Sequence, residues 1–388
     1  MNTKKKKIIL EDGSQYAGTA FGADRETMAE LVFNTSPVGY QELFSDLSYT
    51  GQMVVMTYPL IGNYGTCEDD YESAVPKMSA LIVREYCDEP SNFRCIDTLG
   101  NVMKQYGIAG VAGVDTRKLA RHIRDHGSCR AYIVDEDRNV DEALEELRVW
   151  IPDCGQVSRV STPTIYEYDR SQAGILQNAA PYGPDDPKYP EYPKYPGYRI
   201  VVVDCGVKQN ILRCLADKGC HVTVVPWDTP AEKIMVLAPD GVLISNGPGN
   251  PEDVQPTIQT VRELRGRVPI FGICLGHQIL SLAYSARTYK LKFGHRGGNH
   301  PVMDIKTGKV EITSQNHSYA VDADSLENTG LSVTHKNLLD STVEGVECIE
   351  DRVMSVQYHP EAAPGPADGG YLFKRFLALV DEYKSCTR

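Results

Sequence analysis

The chain has 388 residues, 41% hydrophobic and 24% charged, enough for two or three domains with substantial cores. A net charge of −12 argues against a general nucleic-acid or anionic-membrane binder. The lysines at 4–7 precede an apolar run too short for a signal-peptide core, no later run is long enough to span a membrane, and 11 scattered cysteines contain no C-x-x-C pair. A reducing, cytoplasmic setting without disulfides or a zinc site is therefore expected.

Residues 8 to about 160 read as a mixed α/β domain. Strands are predicted at 8–10, 31–33 and 52–57, with Gly13, Gly18, Gly22, Gly39, Gly51 and Gly62 marking turns. A helix starts at Asp115 or Thr116 as the N-cap, and a second is predicted over 141–149. His122 and His126, four apart on the first helix, have metal-ligand spacing. With Arg117, Lys118, Arg121 and Arg124 beside them, a basic face turned to solvent or to a partner is the better reading. This half shows no nucleophile, phosphate loop or metal set of its own.

Residues 181–198 alternate proline with tyrosine, which favours extended polyproline II and a semi-rigid spacer. The domain division is placed there: 1–197, including this linker, and 198–388. From Arg199 the pattern becomes strand–helix alternation. Apolar, β-branched runs at 200–204, 222–225, 241–245 and 268–273 are separated by helical segments at 208–218, 231–237 and 254–266. The expected architecture is a mostly parallel central sheet covered by helices, with ligands at the carboxyl ends of its strands. Beyond Arg287 the chain reads as shorter strands, then a run at 353–358 and a closing helix near 371–383.

Phe271-Gly272-Ile273-Cys274-Leu275-Gly276-His277-Gln278 places a cysteine where a buried strand turns into a helix, with a glycine two residues away on each side. That is the pattern of a nucleophile elbow, with Cys in the place of Ser. A helix start favours a thiolate, and the N–H of Leu275 is positioned to stabilise an oxyanion. A thiolate nucleophile needs a proton-transfer partner that is itself oriented. His359-Pro360-Glu361, after another apolar run, supplies both residue types at a second strand end. His277 is the rival base, one helical turn after Cys274, but the sulfur at the turn points away from the helix axis, so His277 reads as a packing or hydrogen-bonding residue. The loop Asn246-Gly247-Pro248-Gly249 falls at a third strand end.

These three motifs, in this order, resemble the class I (triad) glutamine amidotransferases from about Arg199 to the C-terminus. In the first half, Glu11-Asp12-Gly13, Phe33-Asn34-Thr35-Ser36, Gly39-Tyr40-Gln41-Glu42, Asp46-Leu47-Ser48-Tyr49, Thr57-Tyr58-Pro59-Leu60-Ile61-Gly62-Asn63 and Asp115-Thr116-Arg117-Lys118-Leu119 resemble the N-terminal domain of the small, glutamine-hydrolysing subunits of carbamoyl-phosphate synthases, and Phe293-Gly294-His295-Arg296-Gly297-Gly298-Asn299-His300-Pro301 resembles a signature of the same subunits. The resemblance implies that Cys274 attacks the side-chain amide of L-glutamine, that His359 moves the proton with Glu361 orienting it, and that Gly247 and Leu275 donate to the oxyanion. It implies glutamine contacts at Gly249, Gln278, Asn316, Ser318 and Tyr319, with Ser48 contributed by the first domain. Ser318 stands where the family usually has glycine.

The resemblance also implies a large-subunit partner, in a heterodimer or a higher oligomer of it, that receives the ammonia and uses ATP, Mg²⁺ and bicarbonate for pyrimidine and arginine synthesis. No cofactor or metal is expected on this chain, which has no G-x-x-x-x-G-K-[ST] loop. A subunit serving another synthase, such as anthranilate synthase, would need only the second half. A non-catalytic glutamine-sensing subunit would be expected to lack Cys274, His359 or Glu361, and all three are present.

Overall fold

A computed structural model describes residues 4–169, 197–362 and 365–387. The predicted Tyr/Pro linker lies, up to Pro196, outside the described residues. The chain forms two compact units: residues 1–156 with 290–298, and residues 157–289 with 299–388. The division thus falls earlier than the 197/198 boundary read from the sequence. Val157 is buried in the core of the second unit, and the short strand Tyr166–Glu167 pairs antiparallel with His221–Pro226 of that unit's sheet. Composition alone does not register such an excursion, because the stretch is short and polar.

In the first unit seven strands close into a barrel, in the order Lys5–Leu10, Gln15–Gly22, Ala109–Ala112, Ala80–Ile82, Gln52–Met56, Thr27–Asn34, Cys129–Asp135. Alternation along the strands sends Leu31, Met53, Val55, Ala80 and Ile82 into one apolar cluster and Val32, Val54, Met56, Leu81 and Val83 into another. The helix Thr116–His126 contributes Leu119 and Ile123 to the first cluster, and Asp115 caps it by accepting from the Lys118 N–H at 2.9 Å. Closure leaves no barrel edge to pair with other chains.

The second unit is built on a ten-stranded sheet. Its central five strands, in the order His221–Pro226, Arg199–Asp204, Gly241–Ile244, Ile270–Ile273 and Val353–Val356, are parallel. Val201 and Val203 face one apolar cluster with the helices Gln255–Leu264 and Leu275–Ala283. Ile200 and Val202 face the other, with the helices Gln209–Ala216 and Tyr371–Thr387. The sheet is therefore covered on both faces, which is why its strands read as continuous apolar runs. Val343–Cys348 and Ser332–Asn337 extend it antiparallel.

Of the short strands expected after Arg287, Ser332–Asn337 and Val343–Cys348 are present, but they are preceded by two long ones, Thr288–Asp304 and Val310–Val321. Glycines that read as breaks allow the first to bend without ending: Gly294 and Gly297 lie at φ 71° and 147°. Its middle, residues 290–298, joins the first unit, where Phe293 packs 5.9 Å from Phe33 and Lys290 pairs with Glu30 at 2.5 Å. No helix among the described residues is long and apolar enough to cross a membrane.

Candidate active site

The strand Ile270–Ile273 is buried throughout and paired on both sides, so its chain must leave the sheet sharply. It does so at Cys274, which takes φ 54° and ψ −102°. For a residue with a Cβ such a conformation costs about 1–3 kcal/mol and persists only where its surroundings impose it. Here the Cys274 N–H donates to the Val356 carbonyl at 2.9 Å, and its own carbonyl accepts from the N–H groups of His277 (3.1 Å) and Gln278 (3.3 Å). Two glycines make room for the turn. A Cβ on Gly276 would lie 2.1 Å from the Ile244 carbonyl oxygen, and one on Gly272 2.6 Å from that of Gly276. The helix Leu275–Ala283 follows immediately.

The Cys274 residue is 2% exposed, and its Sγ lies 3.6 Å from the Asn316 carbonyl oxygen. Gln357 Nε2 donates toward the sulfur at 3.7 Å. Gln278 Nε2 in turn donates to Gln357 Oε1 (2.9 Å) and to the Tyr319 carbonyl (2.8 Å), fixing the amide that faces the thiol. His359 is held from its backbone by the Ser314 carbonyl at 2.9 Å and from its ring by Glu361, whose Oε1 is 2.7 Å from Nδ1. Lys208 Nζ sits 3.3 Å from both Nδ1 and that carboxylate oxygen. His359 Nε2 is buried with no hydrogen-bond partner among the described residues, which leaves it as the ring nitrogen available to the sulfur.

Burial opposes charge on His359, and Lys208 adds to that opposition. The Glu361 carboxylate and the Cys274 sulfur outweigh both and raise the imidazole pKa well above its ordinary value. Burial likewise presses Glu361 upward, but His359 and Lys208 bring it down to about 2. The cluster is thus an ionised carboxylate between two cationic groups, beside the Cys274 sulfur. His277 is the contrary case: fully buried, it is pushed down to about 3 by burial and then by His335, and its Nδ1 meets Ser355 Oγ at 2.8 Å. It is a neutral packing residue.

The other predicted positions are distributed as follows. Gly247 packs against the elbow: a Cβ there would lie 2.1 Å from the Cys205 carbonyl oxygen and 2.9 Å from Leu275 Cδ2. Gly249 takes φ 92°. Asn316, Ser318 and Tyr319 lie on the strand Val310–Val321, where the carbonyls of Asn316 and Tyr319 meet the sulfur and Gln278. Ser318 is absent from the residues with positive φ, so its strand backbone does not demand the glycine usual there. Ser48 lies in the first unit, buried in the turn Leu47–Tyr49. Sequence reasoning missed Lys208 and Gln357. Gln357 had a signal, since two residues before His359 in an extended run it shares that residue's side. Lys208 had only its place just past the strand Arg199–Asp204; its N–H donates to Asn246 Oδ1 at 3.1 Å, tying two strand-end loops together.

The chain is similar to known proteins in both of its units. Residues 201–379 match the glutamine amidotransferase class-I family. Residues 8–133 match the carbamoyl-phosphate synthase small chain, CPSase domain. A carbamoyl phosphate synthase small chain of Staphylococcus epidermidis is 47% identical over 99% of this chain and 98% of its own. The chain belongs to the carbamoyl-phosphate synthase small-chain family. Within that family, the small chain of Oceanobacillus iheyensis is 49% identical, covering 98% of this chain and 97% of its own. One of Halalkalibacterium halodurans, described as pyrimidine-specific, is also 49% identical, over 98% of each. Family membership makes the protein a glutamine-hydrolysing small subunit, with the amidotransferase domain in its second unit.

Proposed function

We propose that this chain hydrolyses L-glutamine through Cys274, His359 and Glu361 and delivers the ammonia to a carbamoyl-phosphate synthase large subunit. The observation that carries the reading is the strained elbow at Cys274 beside an imidazole whose Nδ1 is bound to Glu361 at 2.7 Å. The Cys274 thiolate, its proton already on His359, attacks the side-chain amide carbon, with the developing oxyanion accepting from the N–H groups of Leu275 and Gly247. The tetrahedral intermediate collapses by breaking the C–N bond. His359, cationic beside Glu361, gives its proton to the departing nitrogen, so ammonia and a γ-glutamyl thioester result. The now neutral imidazole takes a proton from water, which attacks the thioester; glutamate leaves and the His359 proton is restored. Glu361 holds the ring by its Nδ1 side while Lys208 pairs with the same carboxylate, reserving Nε2 for the transfers. Gly249, Gln278, Asn316, Ser318 and Tyr319 hold the substrate.

ATP, Mg²⁺ and bicarbonate act on the large subunit, where ammonia is converted to carbamoyl phosphate for pyrimidine and arginine synthesis in the cytoplasm. Cys274→Ser tests the division of labour in the assembled complex. Glutamine-dependent synthesis is expected to vanish while ammonia-dependent synthesis persists. Loss of both would overturn it.

A further inference from the structure

We infer that a cationic concavity on the first unit, walled by Arg84 and by Arg117, Arg121 and Arg124 of the helix Thr116–His126, is the surface that receives acidic side chains of the large subunit. This rests on the large-subunit partnership proposed above and names where the contact is made. The hollow measures about 650 Å³ and has Phe33 and Pro59 among its apolar walls. Arg117, Arg121 and Arg124 stand at i, i+4 and i+7, and so share one face of the helix over about 10 Å. Among the described residues none of Arg84, Arg117 and Arg121 forms an ion pair, in a chain carrying 52 acidic residues. Arg124 pairs with its neighbour Asp125 at 2.8 Å, and Asp115, the one acid lining the hollow, is engaged in capping the helix.

Helix stability does not account for this row. Like charges four apart on a helix destabilise it, and Arg117 lies in the first turn, where the macrodipole disfavours a cation. The arrangement therefore costs stability in the free chain and is offset only by an anionic partner. All four arginines are exposed, so they do not enclose a small ligand as binding pockets do; they form an open, forked array suited to carboxylates on another protein. Arginine beside aromatic and apolar surface is also the composition of interface centres. A second copy of this chain, itself at net charge −12, is the weaker match, because its overall field repels.

The experiment measures assembly of the full-length chain with purified large subunit by analytical ultracentrifugation, at two salt concentrations. Arg117→Glu with Arg121→Glu is expected to weaken assembly by roughly 100-fold or more and to flatten its salt dependence. Arg148→Glu, an exposed arginine outside the hollow, serves as the charge control and should assemble as the parent does. Glutamate at 117 suits the macrodipole in the first helical turn, and glutamate at 121 stands three residues from both Lys118 and Arg124, which offset its repulsion from 117, so the double variant should fold and its own glutamine hydrolysis should be unchanged. Equal affinity and equal salt slope in parent and double variant would overturn the inference, as would self-association that the substitutions abolish while the heteromeric complex survives. Tight binding of inorganic phosphate by the parent, lost in a variant that still assembles, would overturn it in favour of a small-anion site. Failure of the parent chain to assemble would instead defeat the large-subunit reading itself.

Discussion

Two segments of the second unit each bury a histidine near the candidate nucleophile, and they end in opposite states. His277, in the first turn of the helix Leu275–Ala283, and His359, just past the strand Val353–Val356, are both essentially inaccessible. Each uses Nδ1 and leaves Nε2 without a hydrogen-bond partner among the described residues. The partner of Nδ1 separates them. A serine hydroxyl leaves His277 to the effect of burial, which drives it down to about 3; a carboxylate 2.7 Å away carries His359 upward against the same burial. Burial sets the size of the electrostatic effects, and the identity of one neighbour sets their sign. The histidine closer to Cys274 in sequence is the neutral one.

Exchanging or deleting the members of this comparison should break it in a definite order. His359→Asn removes the proposed proton carrier, and kcat for glutamine hydrolysis should fall roughly 10³–10⁴-fold with the fold intact by circular dichroism. A fall below about tenfold would return His277 to the role of base. Glu361→Gln keeps the ring and removes what raises it, leaving burial and Lys208 both pressing the imidazole toward neutrality. A roughly 10²-fold loss in kcat is expected, with the alkaline limb of kcat/KM moving to lower pH. Lys208→Met acts in the other direction on His359, because it deletes a cation 3.3 Å from Nδ1. The same limb should move to higher pH, with kcat changed by about tenfold or less; an unmoved limb would show that Lys208 does not act on the ring.

Much of the site was legible because its parts sit at strand ends in short motifs. The Gly272–Gly276 spacing encodes a turn that only a residue without Cβ permits at either flank, and His359-Pro360-Glu361 encodes an extended pair on one side. The parallel core was legible for the same reason that it is buried on both faces: its runs from 200 to 273 are apolar and interrupted by helices. Other features left no local trace. Lys208 joins His359 and Glu361 only because parallel pairing brings the ends of Arg199–Asp204 and Val353–Val356 to one edge of the sheet, and a lysine after a strand carries no periodic signature. Gln357 lay in the run that announced His359, but its contact with the sulfur depends on Gln278, which comes from another element. The barrel closure and the return of residues 290–298 to the first unit are long-range pairings, on which alternation within one strand is silent.

The subtlest expected effect separates the two histidines by proton linkage to stability. His277 has a folded pKa of about 3 against an ordinary 6.5, so between those values the unfolded chain binds the extra proton. Its contribution is present above pH 6.5 and is lost as pH falls toward 3. His335, lowered to about 4 mainly by burial, adds to the upper part of the same window. Glu361, lowered from 4.5 to about 2, has its contribution in place above pH 4.5 and loses it as pH falls from there to 2. The windows overlap only in part, so variants can divide them. Replacing His277 by Asn should cost about 1–3 kcal/mol at pH 7, since it breaks the bond to Ser355 and leaves a smaller side chain in a packed site. It should also flatten the fall in unfolding midpoint between pH 6.5 and 4.5, while kcat stays within about threefold of the parent because the proton path through His359 is untouched. An undiminished slope in that interval would mean that His277 is not the neutral, buried group which its contacts describe, and the contrast with His359 would then lose its physical basis.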